Sequence, residues 1–420
     1  MNNFSSDWEI QKLEHLTIKI IDGNYGSDYP SPQEMLNEGI PFLTSTVIGK
    51  DQKINLSKLK YISQEKHRLL AKAHLKENDV LFTNRGANVG NVALVSECLN
   101  DANIGPQLTL LRVNSKLSPH FLYYFMQSNN FKLQLKRFDS GSAMNFFGIS
   151  TTKSLSIHVP PLLEQNKISS ILNSVDEVIE YTQKQIDKLQ YLKKATMNEL
   201  LTKGIGHKDF KKSALGRIPK SWEVLNFSKI IHSSNQGVNT TTEKVTYSSA
   251  GIRACRSNNI EENSFDWSDK KFVNQSTFDR LNDKFKPKLK DVLYCNIGSN
   301  LGSSAVVETT DDLIITWNVL RLTTENSKVS PYFFSHSLNS SRKELRDFAT
   351  ESTMPFISTK ALSKFKFRIP PLDEQKKISE VIDGINNNLA ILKIRIYQIQ
   401  SLKKSLMQDL LTGRVRVKVK

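Results

Sequence analysis

The chain is written twice. Pro160-Pro161-Leu162-Leu163-Glu164-Gln165 returns half a chain later as Pro370-Pro371-Leu372-Asp373-Glu374-Gln375, and from there the two copies stay in register without a gap. Lys167 meets Lys377, Ile168 meets Ile378, Ser169 meets Ser379, and Leu200-Leu201-Thr202 meets Leu410-Leu411-Thr412. Upstream, Asp79-Val80-Leu81-Phe82-Thr83-Asn84-Arg85-Gly86 matches Asp291-Val292-Leu293-Tyr294-Cys295-Asn296-Ile297-Gly298, and Trp8-Glu9-Ile10 matches Trp222-Glu223-Val224. A solenoid repeats every few tens of residues. A period of half a chain means two copies of a whole domain, each followed by the same trailing segment.

Those trailing segments read as long helices. Proline fixes φ and lacks an N–H, so Pro161 and Pro371 suit the residue just ahead of a helix start. Glu164, Asp373 and Glu374 then place negative charge on the first turn, where the helix dipole favours it. Apolar residues follow at alternating spacings of four and three. In the first copy these are Ile168, Leu172, Val175, Ile179, Ile186 and Leu189, with Thr182 the one polar residue in the series. In the second they are Ile378, Ile382, Ile385, Leu389, Leu392, Ile396 and Ile399. This is a heptad seam, which needs a partner helix to bury it. Each run of about 40 residues predicts a helix of about 60 Å at 1.5 Å per residue, far beyond the dozen residues of an ordinary globular helix. Two matching seams in one chain predict an antiparallel coiled coil, because the return path passes through an intervening domain.

The expected architecture is α+β with a pseudo-two-fold internal repeat. It comprises a first globular domain (1–160), a central helical region (161–205), a second globular domain (206–370), a C-terminal helical region (371–413) and a basic tail (414–420). Short strands are predicted at Val80–Phe82 and Val92–Val95, with counterparts at Val292–Tyr294 and Ala305–Val307. Pro119 and Pro331 open amphipathic helices.

With 58 Lys and Arg against 42 Asp and Glu, the net charge is +16, which favours polyanions through counterion release. The halves differ where a reader of nucleic-acid sequence should differ. After the matched Gly39-Ile40 and Gly251-Ile252, one copy carries Thr44, Ser45 and Thr46, and the other Arg253, Arg256, Asn258 and Asn259. Arg suits guanine and Asn suits adenine in the major groove, while Ser and Thr contact either. Asn24 and Tyr25 in one half, and Asn235, Gln236 and Asn239 in the other, are further candidates, as are Ser142, Asn145, Ser352 and Thr353 in matching late loops. The turn N-x-G-x-N-x-G lacks the Gly-Lys-Ser/Thr ending of a phosphate-binding loop and reads chiefly as a tight structural turn. Its polar members Asn84, Arg85, Asn88, Asn296 and Asn300 complete the candidate set. Any one of these residues is more often a solvated loop residue than a base contact; together they form a credible reading surface.

Catalytic motifs are missing. The only Pro-Pro sites have the wrong neighbours for an adenine methyltransferase, and there is no GKT/GKS box, nuclease PD…ExK pattern or HExxH. Cys98, Cys255 and Cys295 are too scattered for a disulfide framework or a zinc knuckle. No metal site is therefore expected, no apolar run is long enough to span a bilayer, and the N-terminus does not read as a signal peptide. A reducing cytoplasm is the expected compartment.

The duplicated P-P-L-x-E-Q-x-K-I segments with helices closing in L-L-T, together with Gly216-Arg217-Ile218-Pro219-Lys220-Ser221-Trp222 and the D-V-L-F/Y turn, resemble the specificity subunits of type I restriction–modification systems. The resemblance covers essentially the whole chain. It implies two target-recognition domains, each reading half of a bipartite site in double-stranded DNA, with the helix pair setting the gap between halves. It also implies docking of two modification subunits, which use S-adenosylmethionine to methylate adenine, and of restriction subunits that use ATP. This chain would then bind neither cofactor and catalyse nothing. The competing expectation is a helical assembly scaffold without base-specific contacts.

Overall fold

The computed structural model describes residues 7–138, 146–350 and 354–419. Contacts divide the chain into two compact units that are not consecutive in sequence. One contains residues 1–184 and 394–420; the other contains 185–393. Each unit is one globular domain with half of each long helix.

In the first unit, β1 (Glu9–Lys12) pairs antiparallel with β9 (Ser156–Val159), bringing the two ends of the domain together. A four-stranded antiparallel sheet runs β2 (Thr17–Asp22), β8 (Leu108–Val113), β5 (Val80–Thr83) and β6 (Val92–Leu94). A three-stranded sheet runs β4 (Lys60–Ile62), β3 (Ile40–Leu43) and β7 (Asn103–Ile104), with β3 and β7 parallel. All four residues of β5 are buried, as a strand covered on both faces should be.

The second unit repeats this plan. After the hairpin β10 (Phe210–Ser213) and β11 (Gly216–Pro219), β12 (Glu223–Asn226) pairs with β22 (Lys366–Ile369). The larger sheet runs β13 (Ile231–Gln236), β21 (Val319–Thr324), β18 (Val292–Cys295) and β19 (Ser304–Val306). The smaller runs β17 (Phe272–Val273), β14 (Ile252–Cys255) and β20 (Leu313–Ile315), again with one parallel pair. A small hairpin, β15 (Ile260–Glu261) with β16 (Ser264–Phe265), follows β14. Pro119 and Pro331 each stand at the start of a helix, Pro119–Phe125 and Pro331–Ser340.

The long helices are Leu162–Lys203 and Leu372–Leu410, and they pack together antiparallel. Within the first unit, Ile168 and Leu172 from the start of one helix share a core with Leu410 and Leu411 at the end of the other. Within the second, Met197 and Leu201 share a core with Ile378 and Ile382. Every residue of the expected seam is buried or half-buried, Thr182 included. Among the described residues, no helix is long and apolar enough to cross a membrane.

The repeated motif has a bonding role in each copy. Gln165, fully buried, accepts from the Ser118 amide at 2.7 Å and donates to the carbonyls of Lys116 and Pro160 at 3.0 and 2.8 Å. Gln375 does the same with the Ser330 amide (2.8 Å) and the carbonyls of Lys328 and Pro370 (2.9 and 2.8 Å). The adjacent glutamate ties the start of one helix to the segment leaving the other. Arg416 donates to Glu164 at 2.8 and 2.9 Å and lies over the Trp8 ring. Glu374 accepts from Trp222 Nε1 at 2.9 Å and the Ile205 amide at 3.0 Å, and its Oε1 lies 2.7 Å from His207 Nε2. These paired ties position both helices against each domain.

Candidate nucleic-acid interface

One corner of each globular domain gathers the ends of strands from both sheets. In the first unit the chain leaves β2 at Asp22, β3 at Leu43 and β5 at Thr83, and backbone bonds draw these exits together. The Gly23 amide donates to Leu108 O at 3.1 Å and the Gly105 amide to Leu43 O at 2.8 Å. The approach is so close that a Cβ on Gly23 would lie 2.1 Å from Ile104 O, so only glycine fits. In the second unit Gly237 holds the matching place, where a Cβ would lie 2.1 Å from Thr316 O. The Thr316 amide donates to Cys255 O at 3.0 Å, closing that corner.

The corner collects most of the candidate residues, in distinct states. Asn84, Asn259 and Asn296 lie in the interior. Asn84 Nδ2 donates to Asp22 Oδ1 (3.0 Å), Pro106 O (3.1 Å) and Thr109 Oγ1 (3.0 Å). Asn296 exchanges two hydrogen bonds with Gln236, at 3.0 and 3.1 Å. Asn259 donates to the carbonyls of Asp266 and Asp269 at 2.9 and 3.0 Å. A buried amide must be satisfied internally, and these three hold loops in place. Gly86 and Gly298, at φ of 88° and 93°, make the sharp turns beside them. Asn300 Nδ2 donates to Ser257 O at 3.0 Å, latching the second turn onto the loop after β14. In the first unit Asn91, beyond half-buried Asn88, latches to Ile48 O at 3.1 Å.

The remaining candidates reach the surface. Tyr25 is 66% exposed, with Lys72 Nζ 4.6 Å from its ring centroid; Asn24 beside it is half-buried. Thr44 and Thr46 share a hydroxyl–hydroxyl bond of 2.8 Å, with Ser45 between them. Arg85 lies over the Phe146 ring at 4.6 Å. In the second unit Arg253 sits between the Trp267 ring (5.5 Å) and Asp311 (3.7 Å). Arg256 and Asn258 converge on Asp269 at 2.7 and 2.9 Å; their hydrogen bonds hold its carboxyl below the usual carboxylate range. Asn235 is half-buried on β13, and Asn239 accepts from the amides of Thr241 and Thr242, both at 3.1 Å. Ser142, Asn145, Ser352 and Thr353 lie outside the described residues.

The sequence reading did not include Lys72, Phe146 or Trp317, all at these corners. Trp317 is 50% exposed and its carbonyl accepts from Gln236. An exposed tryptophan between two strands was the available signal, but Pro106 occupies the like place in the first copy, so the repeat gave no hint.

A duplicated frame that holds its strand exits fixed while varying the side chains on them defines a class: a protein built to recognise two things by one geometry. Comparison with known proteins agrees. Residues 6–191 and 219–401 each match the type I restriction modification DNA specificity domain, and the chain belongs to that family, as a specificity subunit. It is 30% identical, over 98% of its length and 94% of the relative's, to a Methanocaldococcus jannaschii protein named as the MjaX type I restriction enzyme specificity subunit. The MjaVIII specificity subunit of the same organism is 28% identical over 82% of this chain and 80% of its own. The fold matches the crystal structure of the type I restriction–modification S subunit from M. genitalium, with a TM-score of 0.61, 15% identity, and coverage of 100% of this chain and 98% of that one. It also matches a chain from a structure of type I system assembly and conformational transition, with a TM-score of 0.59, 16% identity, and coverage of 98% and 99%.

Proposed function

We propose that the chain supplies DNA sequence recognition without catalysis, each domain reading one half of a bipartite double-stranded site through its strand-exit corner. The observation that carries this is the pairing of conserved frame with altered surface. Thr44, Ser45 and Thr46 follow β3 where Arg256, Ser257 and Asn258 follow β14, on equivalent parallel pairings. The excess of basic residues contributes the sequence-independent part of the affinity. Each long helix runs without interruption from one unit into the other, which suits a ruler for the unread bases between half-sites.

Two modification subunits, carrying S-adenosylmethionine, and restriction subunits, carrying ATP, complete the complex in this reading, in the cytoplasm. The long helices expose large apolar side chains outside the seam, among them Tyr181 (65%), Tyr191 (78%), Ile391 (62%) and Tyr397 (73%). Such side chains suit protein docking. The same feature favours the second reading, an assembly scaffold with no base contacts.

Replacing residues 206–369 with the matching domain of another family member separates the two. The methylated-site map of the hybrid complex should change at one half-site and keep the other. Change at both halves overturns modular reading, and no sequence preference at fixed salt establishes the scaffold.

A further inference from the structure

Three side chains of the first unit meet at the edge of its smaller sheet: His67, His74 and Asp101. His67 lies in the short helix Gln64–Leu69 and is buried. Its Nδ1 is 2.6 Å from Asn103 Oδ1. The Asn103 amide nitrogen donates to Leu70 O at 3.0 Å, which fixes its oxygen as an acceptor, so Nδ1 of His67 carries the hydrogen. His74 Nε2 lies 3.3 Å from the His67 carbonyl, which can only accept, so Nε2 of His74 carries the hydrogen. Each neutral ring therefore has its other nitrogen bare, and both bare nitrogens face the same carboxylate. His67 Nε2 is 3.3 Å from Asp101 Oδ2, and His74 Nδ1 is 3.1 Å from Asp101 Oδ1. The two rings are stacked, with centroids 4.2 Å apart and planes 19° from parallel. Asp101 is held in the left-handed region, φ 67°, with its amide donating to Leu75 O at 2.8 Å.

We propose that His67 Nε2, His74 Nδ1 and the Asp101 carboxylate bind one divalent transition-metal ion of the zinc type. Two imidazoles and a carboxylate are a common donor set for such ions. The Asp101 oxygens stand 3.3 and 3.1 Å from the two nitrogens, near the edge of about 3.3 Å of a tetrahedron with bonds of about 2.0–2.1 Å. All three ligand atoms lie within 4.8 Å of one another, and the stacked rings would turn out of parallel to aim both lone pairs at one ion. The N–H groups on Asn103 and the His67 carbonyl orient the rings as outer-shell bonds do in metal sites. Asp101 is exposed on its outer side, leaving the fourth position to water. The ion would pin the helix Gln64–Leu69 and the loop behind it to the segment that enters β7, bracing the recognition domain.

Among the described residues the second unit has no equivalent cluster, and this sets the stoichiometry. Ser63 and Asn274 cap corresponding helices, which places Phe278 opposite His67. The amides of Lys76 and Lys288 both donate to the following aspartate, which places Lys286 opposite His74. There Lys286 Nζ sits 4.6 Å from the Phe278 ring centroid; the contact survives but both imidazole ligands are gone, with only Asp312 standing at the place of Asp101.

The test uses the untagged full chain, stripped with a chelator and titrated with Zn²⁺ by calorimetry and with Co²⁺ by visible absorption. One ion per chain should bind, with cobalt bands characteristic of nitrogen and oxygen ligands and a raised Tm. Asp101→Asn, which tolerates the same backbone, and His74→Gln should each weaken binding at least about tenfold, with unchanged far-UV circular dichroism. Both alter side chains away from the buried core, and Asp101→Asn alone suffices if His74→Gln misfolds. Absence of saturable binding near one ion per chain overturns the proposal, as does equal affinity in folded variants. So does a cluster that only takes up protons between about pH 5 and 8 and retains no ion.

Discussion

The two recognition domains agree in their bonds to backbone and disagree in their surfaces. Asp79 takes Arg112 in a two-pronged pair at 2.7 Å and accepts the Lys76 amide at 2.7 Å. Asp291 takes Arg321 at 2.6 Å and the Lys288 amide at 2.7 Å, adding the Thr323 hydroxyl at 2.7 Å. Gln165 and Gln375 make one set of three bonds twice. By contrast, Thr44 and Thr46 stand where Arg256 and Asn258 do and share only the serine between them, and the His67–His74 stack stands where Phe278 meets Lys286. A group bonded to backbone is held by a partner that sequence change cannot remove. Surface groups around a fixed frame are free to follow a target.

The largest effect should come from breaking the duplicated ion pairs. Asp79→Ala leaves the mostly buried guanidinium of Arg112 without its counter-charge, and Asp291→Ala does the same to Arg321; each should cost about 3–5 kcal/mol. Hydrogen exchange read peptide by peptide assigns the loss to a unit, which a single melting curve of a two-unit protein does not. Each variant should loosen its own unit, to similar degree. A markedly smaller loss in one would show that the two frames are not energetically equivalent.

Next come the glutamines. Gln165→Ala and Gln375→Ala each strand one buried amide and two carbonyls, an expected loss of about 2–3 kcal/mol. The damage should begin where the long helix meets its domain, at residues 116–118 or 328–330, and appear there first as faster exchange. If protection at those residues is unchanged, the motif is not the clamp the geometry describes.

Much of this was legible in the sequence because it is periodic. The seam followed from spacing alone, since burial on a helix repeats with the heptad and all seam positions are covered. The strands at Val80 and Val292 were marked by apolar runs closed by Asn-x-Gly turns. The partners of those strands were not, because β2 joins β8 across most of a domain and nothing local records such a pairing. The reading surface was legible only as a neighbourhood. Asn84, Asn259 and Asn296 look like surface amides by residue type, yet they face inward to satisfy loop backbone. His67, His74 and Asp101 come from three separate segments and meet only through the tertiary fold. Glu164 and Glu374 were read as partners of the helix dipole; their bonds to Arg416 and to Trp222 depend on how the other long helix ends.

The smallest expected effect tests the one place where the two seams differ in polarity. Thr182 occupies the position that Leu392 holds in the second copy, and it is 1% exposed. Its hydroxyl donates to Val178 O at 2.7 Å, a bond back to its own helix and not to the partner helix. Thr182→Val keeps the shape and the branched Cβ, so helix propensity hardly changes, and the Val178 carbonyl keeps its place in the helical ladder. No polar group is stranded, and replacement should stabilise by about 0.5–1 kcal/mol. The converse change, Leu392→Thr, trades apolar contact at a half-buried site for a hydroxyl with the same local partner and should cost about 1 kcal/mol. Exchange protection of the two helices measures both. A loss on Thr182→Val would mean that the hydroxyl has a second role, fixing the register of the helix pair at the cost of stability, as a single polar seam residue does in other coiled coils.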